Sequence, residues 1–150
     1  MGEAIAFGQV VVLAIPGSAV DEMLATHGRA LAGKIVIDAA NRMGGGVMNS
    51  AAALAQHAPG AQVYRAFNSL GWENFEQPQF GDLQTDFFCC GPTGESQAAV
   101  EQLIGDVGLR PVRVGDMSQV HLVDMIGGLW FALALGQNYG RRLALKMVTG

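Results

Sequence analysis

The stretch that most limits the fold is Gln9-Val-Val-Val-Leu-Ala-Ile-Pro-Gly-Ser-Ala-Val20. Gln9 to Ile15 is an unbroken apolar run, and Pro16-Gly17 breaks it. Strands that face solvent alternate apolar with polar residues, so a continuous run predicts a strand buried on both faces. Ser18 with Asp21 three residues on reads as an acidic variant of the capping box that opens a helix. A buried strand running straight into a helix is a βα unit of a parallel sheet. Ligands of such sheets sit outside the carboxyl ends of the strands, so Ala14 to Val20 is the first segment expected to touch one.

The pattern recurs down the chain. A helix is expected from about Ala19 to Leu31, closed by Gly33, then a second buried strand over Lys34–Asp38. Three glycines, Gly44 to Gly46, form a loop, and Asn49 or Ser50 caps a short helix through Gln56. Gln62–Phe67 reads as a third strand and Thr85–Cys90 as a fourth. Thr93 caps a helix from about Gly94 to Val107, and Pro111–Val114 is a fifth strand. A long final helix starts at Asp116 or Ser118 and runs to about Met147. Strands alternating with helices specify an α/β fold, a doubly wound, mostly parallel sheet with helices on both faces.

Composition narrows the partners. The 150 residues suit one domain with a real core. Charged residues are 15%, against roughly 25% in an average domain, which points to an extra buried surface such as a subunit interface. A net charge of −4 gives no reason to expect nucleic acid or an anionic membrane as partner. No basic stretch precedes an apolar core at the N-terminus. Met125 to Gly136 has no charge but is too short to span a bilayer, and reads as a buried core helix. Cys89 and Cys90 are adjacent on a strand and point to opposite faces, which suits two core thiols in a reducing cytoplasm.

Several motifs are excluded. Gly28 to Lys34 has the letters of a phosphate-binding P-loop, but it closes a helix and opens a strand, the reverse of what that motif needs. No G-x-G-x-x-G, H-E-x-x-H, C-x-x-C or G-x-S-x-G occurs. His27, His57 and His121 have no metal spacing, and Glu73, Glu76, Asp82 and Asp86 read as a solvated loop. What remains is three strand exits, Ala14-Ile15-Pro16, Ala39-Ala40-Asn41 and Ala66-Phe67-Asn68. Their small, apolar and amide side chains suit packing on a flat ring and hydrogen-bonding an amide. They do not suit proton transfer. Hydride transfer needs such a lining, because the cofactor does the chemistry and the protein supplies position. Read singly, Asn41 and Asn68 are better explained as closing turns through backbone hydrogen bonds.

Together these runs resemble the NADP oxidoreductases that reduce the deazaflavin coenzyme F-420, and the related nucleotide-binding domains of the STEAP ferric reductases. The likeness rests on Val10-Val-Val-Leu-Ala-Ile-Pro16, Gly33-Lys-Ile-Val-Ile-Asp-Ala-Ala-Asn41, Val63-Tyr-Arg-Ala-Phe-Asn-Ser-Leu-Gly71, Asp86-Phe-Phe-Cys-Cys-Gly91 and Gly108-Leu-Arg-Pro-Val112. It implies a partial Rossmann fold with a long C-terminal helix. Residues 1–117 would be the C-terminal part of a Rossmann-type NADP-binding domain and 118–150 a C-terminal helical segment. The resemblance places Ala14, Ile15, Pro16, Val20, Asn41, Ala66, Phe67 and Asn68 at the cofactor. NADP is the cofactor implied, with coenzyme F-420 or a flavin as a further possibility for the acceptor. The family begins with a strand, G-x-G-x-x-G and a helix that this sequence does not contain, so the chain reads as N-terminally truncated. The strand at 9–15 would then be an open edge, and a homodimer is expected to cover it. Two other readings stand beside this one. One is a related enzyme acting on a ferric-flavin system or a small imine. The other is a non-catalytic remnant or assembly module that does not bind NADP by itself.

Overall fold

Buried apolar runs do become parallel strands in the computed structural model, which describes residues 1–44 and 46–150. The elements in order are α1 (Gly2–Phe7), β1 (Val10–Leu13), α2 (Val20–His27), β2 (Ile35–Asp38), α3 (Ala51–His57) and β3 (Gln62–Arg65). Then come α4 (Glu73–Glu76), β4 (Gln79–Phe80), β5 (Leu83–Gln84), β6 (Asp86–Cys89), α5 (Glu95–Asp106), β7 (Arg110–Arg113) and α6 (Val120–Phe131). Gly45, the middle of the three-glycine loop, lies outside the described residues.

Strands β1, β2 and β3 pair in parallel in that order, and β6 pairs in parallel with β7. The two groups meet at one antiparallel bridge, where Arg65 and Cys90 exchange both backbone hydrogen bonds, at 2.9 and 3.2 Å. Neighbouring residues of β2 face opposite ways. Val36 enters a core with Leu13, Val20, Leu24, Leu31 and Leu54, from α2 and α3. Ile37 enters a second core with Tyr64 of β3, Phe87 of β6, Val100 and Ile104 of α5, and Leu109 just before β7. Helices therefore cover both faces, as a doubly wound sheet requires.

Some expectations change. Ser18 caps nothing, because the chain after Pro16 makes a 3-10 turn over Gly17–Ala19 with Ser18 inside it. Asp21 turns instead to Arg42, with two hydrogen bonds of 2.6 and 2.9 Å. Thr93 is one residue too early to cap α5, and Gly94, at φ +108°, turns the chain into the helix. Asp116 does cap the turn before α6 by accepting the Ser118 amide at 2.9 Å. The final helix stops well before Met147. It passes into a π turn over Ala132–Gly136 and ends there, because Asn138 and Gly140 take left-handed conformations.

The run Met117–Gly136 is also not a buried core helix, since only 22% of its most apolar window is buried. By length and composition alone, this 20-residue run is long and apolar enough to cross a membrane. After it the chain folds back as a strap. Trp130 donates to the Leu143 carbonyl at 2.8 Å, Arg141 pairs with Glu73 at 2.6 Å and Lys146 with Asp86 at 2.8 Å. Asp86 is thus no solvated loop residue but a buried one, held also by Arg110 and the Met147 amide.

Candidate functional site

Parallel strands end on the same side, so the segments after β1, β2 and β3 must converge at one edge of the sheet. They enclose a cleft of about 530 Å³ lined by Val12, Ala14–Gly17, Ala39–Asn41, Phe67 and Phe75. Of the residues expected at a ligand, Ala14, Ile15, Pro16, Asn41 and Phe67 line this cleft. Val20 and Ala66 are fully buried core residues and do not. Asn68 is buried beside α6, where a Cβ on Gly127 would lie 3.4 Å from its amide nitrogen.

The walls are rigid for local reasons. Gly17 packs on the Asn41 carbonyl so closely that any side chain there would overlap it. This fixes the spacing between the β1 and β2 exits. Phe67 sits at φ +61°, a left-handed conformation costly for a bulky residue, of order 1–3 kcal/mol. Its ring is clasped by Phe87 at 5.2 Å and Phe75 at 5.8 Å between centroids. An aromatic trio of this kind returns roughly 0.5–1.5 kcal/mol per pair and offsets much of the backbone cost.

Below the rim lies a buried ion network that reasoning from sequence missed. The Arg65 guanidinium is fully buried and donates to the Asp38 carbonyl (3.0 Å), the Ala40 carbonyl (2.6 Å) and Asn41 Oδ1 (2.8 Å). It also pairs with the Asp38 carboxylate at 3.3 Å and with Asp124 of α6 at 2.9 Å. Asp124 accepts from Asn49 at 2.6 Å, and the Ser50 amide donates to Asp38 at 2.6 Å. One cation thereby ties the ends of β2 and β3 to the final helix. Burial pushes the Asp38 carboxyl up from its usual range, while Arg65 and the Ser50 amide pull it back. The available signal was an Arg and an Asp inside apolar strand runs, since a buried charge requires a partner.

This network also decides what Asn41 can do. Its Oδ1 accepts from Arg65, and its Nδ2 donates to the Asn68 carbonyl at 2.8 Å. The amide is therefore a brace between strand exits, not a free recognition group. Asn68 is the reverse case, with neither its side-chain nitrogen nor its oxygen partnered among the described residues.

A second cleft, about 710 Å³, lies across the β2 exit loop and is lined by Gly17, Ser18, Asp21, Arg42, Ser50 and His57 among others. It is larger, but its one arginine is consumed by Asp21 and by Ser50 at 3.3 Å. The smaller cleft is the stronger candidate, because three strand exits converge on it. No Asp, Glu, His, Lys or Arg lines it. It can stack a planar ring, and it offers no side chain for proton transfer. Among the described residues no cluster of His, Cys, Asp and Glu is placed to hold a metal.

No protein-family model matches the chain, and no curated protein matches it by sequence. Solved structures do. The structure of an Arthrobacter sp. FB24 protein, described as a candidate F-420-dependent NADP reductase, matches with a TM-score of 0.81 at 21% identity. The match covers 99% of this chain and 73% of that one. A hypothetical protein of Sinorhizobium meliloti matches with a TM-score of 0.66 at 23% identity, over 99% of this chain and 70% of its own. At such identities the likeness is one of fold, and the chain has this partial Rossmann-like fold with a C-terminal helix.

Proposed function

We propose that this chain forms the nicotinamide-side part of an NADP(H)-dependent oxidoreductase whose partner substrate is a deazaflavin such as coenzyme F-420, or a similar flavin-like acceptor. One observation carries the reading. The exits of three parallel strands form a single rigid, apolar, ring-sized cleft without a titratable side chain. The description of the Arthrobacter protein as a candidate reductase of this type adds support.

NADPH supplies the hydride when bound, and the work of this chain is positional. Ile15-Pro16 and Phe67 form opposing walls for a planar ring. Arg65, acting through Asn41 and the Ala40 carbonyl, holds those walls in register. The apolar lining keeps water from the transferring hydride. In this reading residues 1–117 are the C-terminal part of the NADP-binding domain and 118–150 a helical segment that helps cover the acceptor. The protein acts as a homodimer in the cytoplasm, where two free, buried cysteines fit a reducing compartment.

The fit is one-sided. The lining suits a nicotinamide, but it contains no Lys or Arg for the pyrophosphate or a 2′-phosphate. That lack favours a second reading, an assembly module that keeps the fold and does not bind NADP by itself. Isothermal titration with NADPH separates the two. A Kd below about 10 μM, roughly −7 kcal/mol, weakened at least tenfold by Phe67→Ala, supports the oxidoreductase. No detectable heat supports the module.

A further inference from the structure

Helix α4 supplies a wall of the ring cleft, yet it is too short to hold itself in place. It is one turn, Glu73–Glu76, and a single turn forms too few hydrogen bonds to offset the cost of its own nucleation. Its Phe75 nevertheless lines the cleft and closes the aromatic trio, 5.8 Å from Phe67 and 6.0 Å from Phe87. The turn has to be fixed from outside, and the returning C-terminal strap fixes it.

The grip of the strap falls on the residue that precedes each ring clasping Phe67. Before Phe75 stands Asn74, which is fully buried. Its Nδ2 donates to the Arg141 carbonyl at 2.9 Å and to the Gly71 carbonyl at 3.2 Å, and its Oδ1 accepts from Arg142 at 3.1 Å. Arg141 also pairs with Glu73 at 2.6 Å. The Arg142 guanidinium lies 3.9 Å from the centre of the Phe80 ring and donates to the Gln79 carbonyl, so it bridges α4 to the hairpin that follows. Before Phe87 stands Asp86, which accepts from Lys146 at 2.8 Å and from the Met147 amide at 2.7 Å. Asn74 and Asp86 are buried polar groups whose partners the strap supplies in part. Lifting it leaves both short of hydrogen bonds, a larger cost than uncovering an apolar patch of surface.

We propose that Arg141 to Met147 is a clamp on the aromatic wall of the cleft and that Arg142 is the positioning residue that sets Phe75, an inference that rests on the cleft holding a planar ring. Docking of the strap and filling of the cleft then favour each other, because both hold Phe75 in one place and coupling between two sites is reciprocal. Amide hydrogen exchange on the intact chain tests this, wild type against Arg142→Met, which keeps the stem and removes the fork. The Phe75 and Gln77 amides donate to the Trp72 and Glu73 carbonyls. In the variant they should exchange roughly tenfold faster, with the amides of β1 and β2 unchanged. NADPH at ten times its Kd should slow exchange of the Met147 amide roughly tenfold in the wild type, and leave it unslowed in Arg142→Met. Faster exchange confined to the strap, with α4 still protected, overturns the proposal. So does an equal loss of protection in β1, β2 and α4, which is a change in global stability, and so does a wild-type Met147 amide indifferent to bound NADPH. If the wild type binds no NADPH, the hydride-transfer reading fails instead, and the ligand-free exchange pattern still decides for or against the clamp.

Discussion

Arg65→Met tests whether the buried guanidinium holds the strand exits together. The substitution keeps most of the side-chain volume and removes every donor. Asp38 is then a carboxylate at 1% exposure with backbone amides alone, chiefly that of Ser50, to hold it, while Asp124, at 12%, can partly recover water. The Ala40 carbonyl, 2.6 Å from the guanidinium, also loses its donor. Breaking a buried pair by removing one partner costs about 3–5 kcal/mol. Partial rehydration of Asp124 argues for the middle of that range, about 4 kcal/mol. With a urea m-value of about 2 kcal/mol/M, the unfolding midpoint should fall by about 2 M.

The pH dependence gives a second signature. Burial already raises the folded-state pKa of Asp38 above its unfolded value, and Arg65 opposes that rise. Without Arg65 the rise is larger. A raised carboxyl contributes stability that is fully present below its unfolded pKa and lost as pH rises through the folded one. The deficit of Arg65→Met against wild type should therefore be smaller in mild acid than at pH 7, and Asp38→Asn in the Arg65→Met background should recover part of it. Urea melts followed by circular dichroism at both pH values decide the matter. A cost below about 1 kcal/mol, or a deficit that grows toward acid, refutes the reasoning.

Two further outcomes follow from the buried polar groups. Burial alone would raise Asp86, but Arg110, Lys146 and the Met147 amide together hold it at about 2. A lowered carboxyl contributes stability that is present above its unfolded pKa and lost as pH falls through the folded one. The strap should therefore loosen between about pH 4 and pH 2, at a cost of up to ~2 kcal/mol once the half-exposed Arg110 and Lys146 are allowed for. Asp86→Asn should abolish that acid step in a pH-resolved urea titration, and persistence of the step would refute the assignment. Burial pushes the Cys89 thiol up to about 12 and Cys90 to about 11. Neither should react with a disulfide reagent at pH 8 until urea unfolds the chain, and rapid labelling of the native protein would contradict this burial.

Much of the layered order was legible from the apolar runs. Five of the seven strands are expected from the sequence, β1 as an unbroken apolar run and the others as short apolar-rich segments between turn residues, and the rule of carboxyl-end ligands then picks out Ala14 to Pro16, Asn41 and Phe67. The hairpin β4–β5 was not legible, because strands of two residues carry no period. Nor was the direction of β6. Its residues state that it is buried, not which way it runs. The end of α6 is set by Gly136 to Gly140, which carries the residues that stop a helix, and Leu143, Leu145 and Met147 beyond it recur at every second position, not at a helical period. Arg65 illustrates the deepest limit. An Arg in an apolar run says that a partner exists, but Asp124 lies 59 residues away, and only packing brings it near. Asn41 shows the converse, a residue placed correctly at the cleft whose amide is already committed to the protein.

The single bridge between Arg65 and Cys90 has a consequence for how the molecule comes apart. Among the described residues, the three strands on one side and the two on the other share the backbone hydrogen bonds of one residue pair, while one core lies wholly on the first side and the other is shared between the two. With one bridge between them, the shared core of Ile37, Tyr64, Phe87 and Ile104 carries most of their coupling. Opening the two sides apart therefore breaks that shared core as well as the bridge, at a cost close to the global unfolding free energy. Arg65 is the one residue that resists this twice over, with its backbone in the bridge and its side chain across the strand ends. The stitch between the two sides and the brace of the cleft are the same residue.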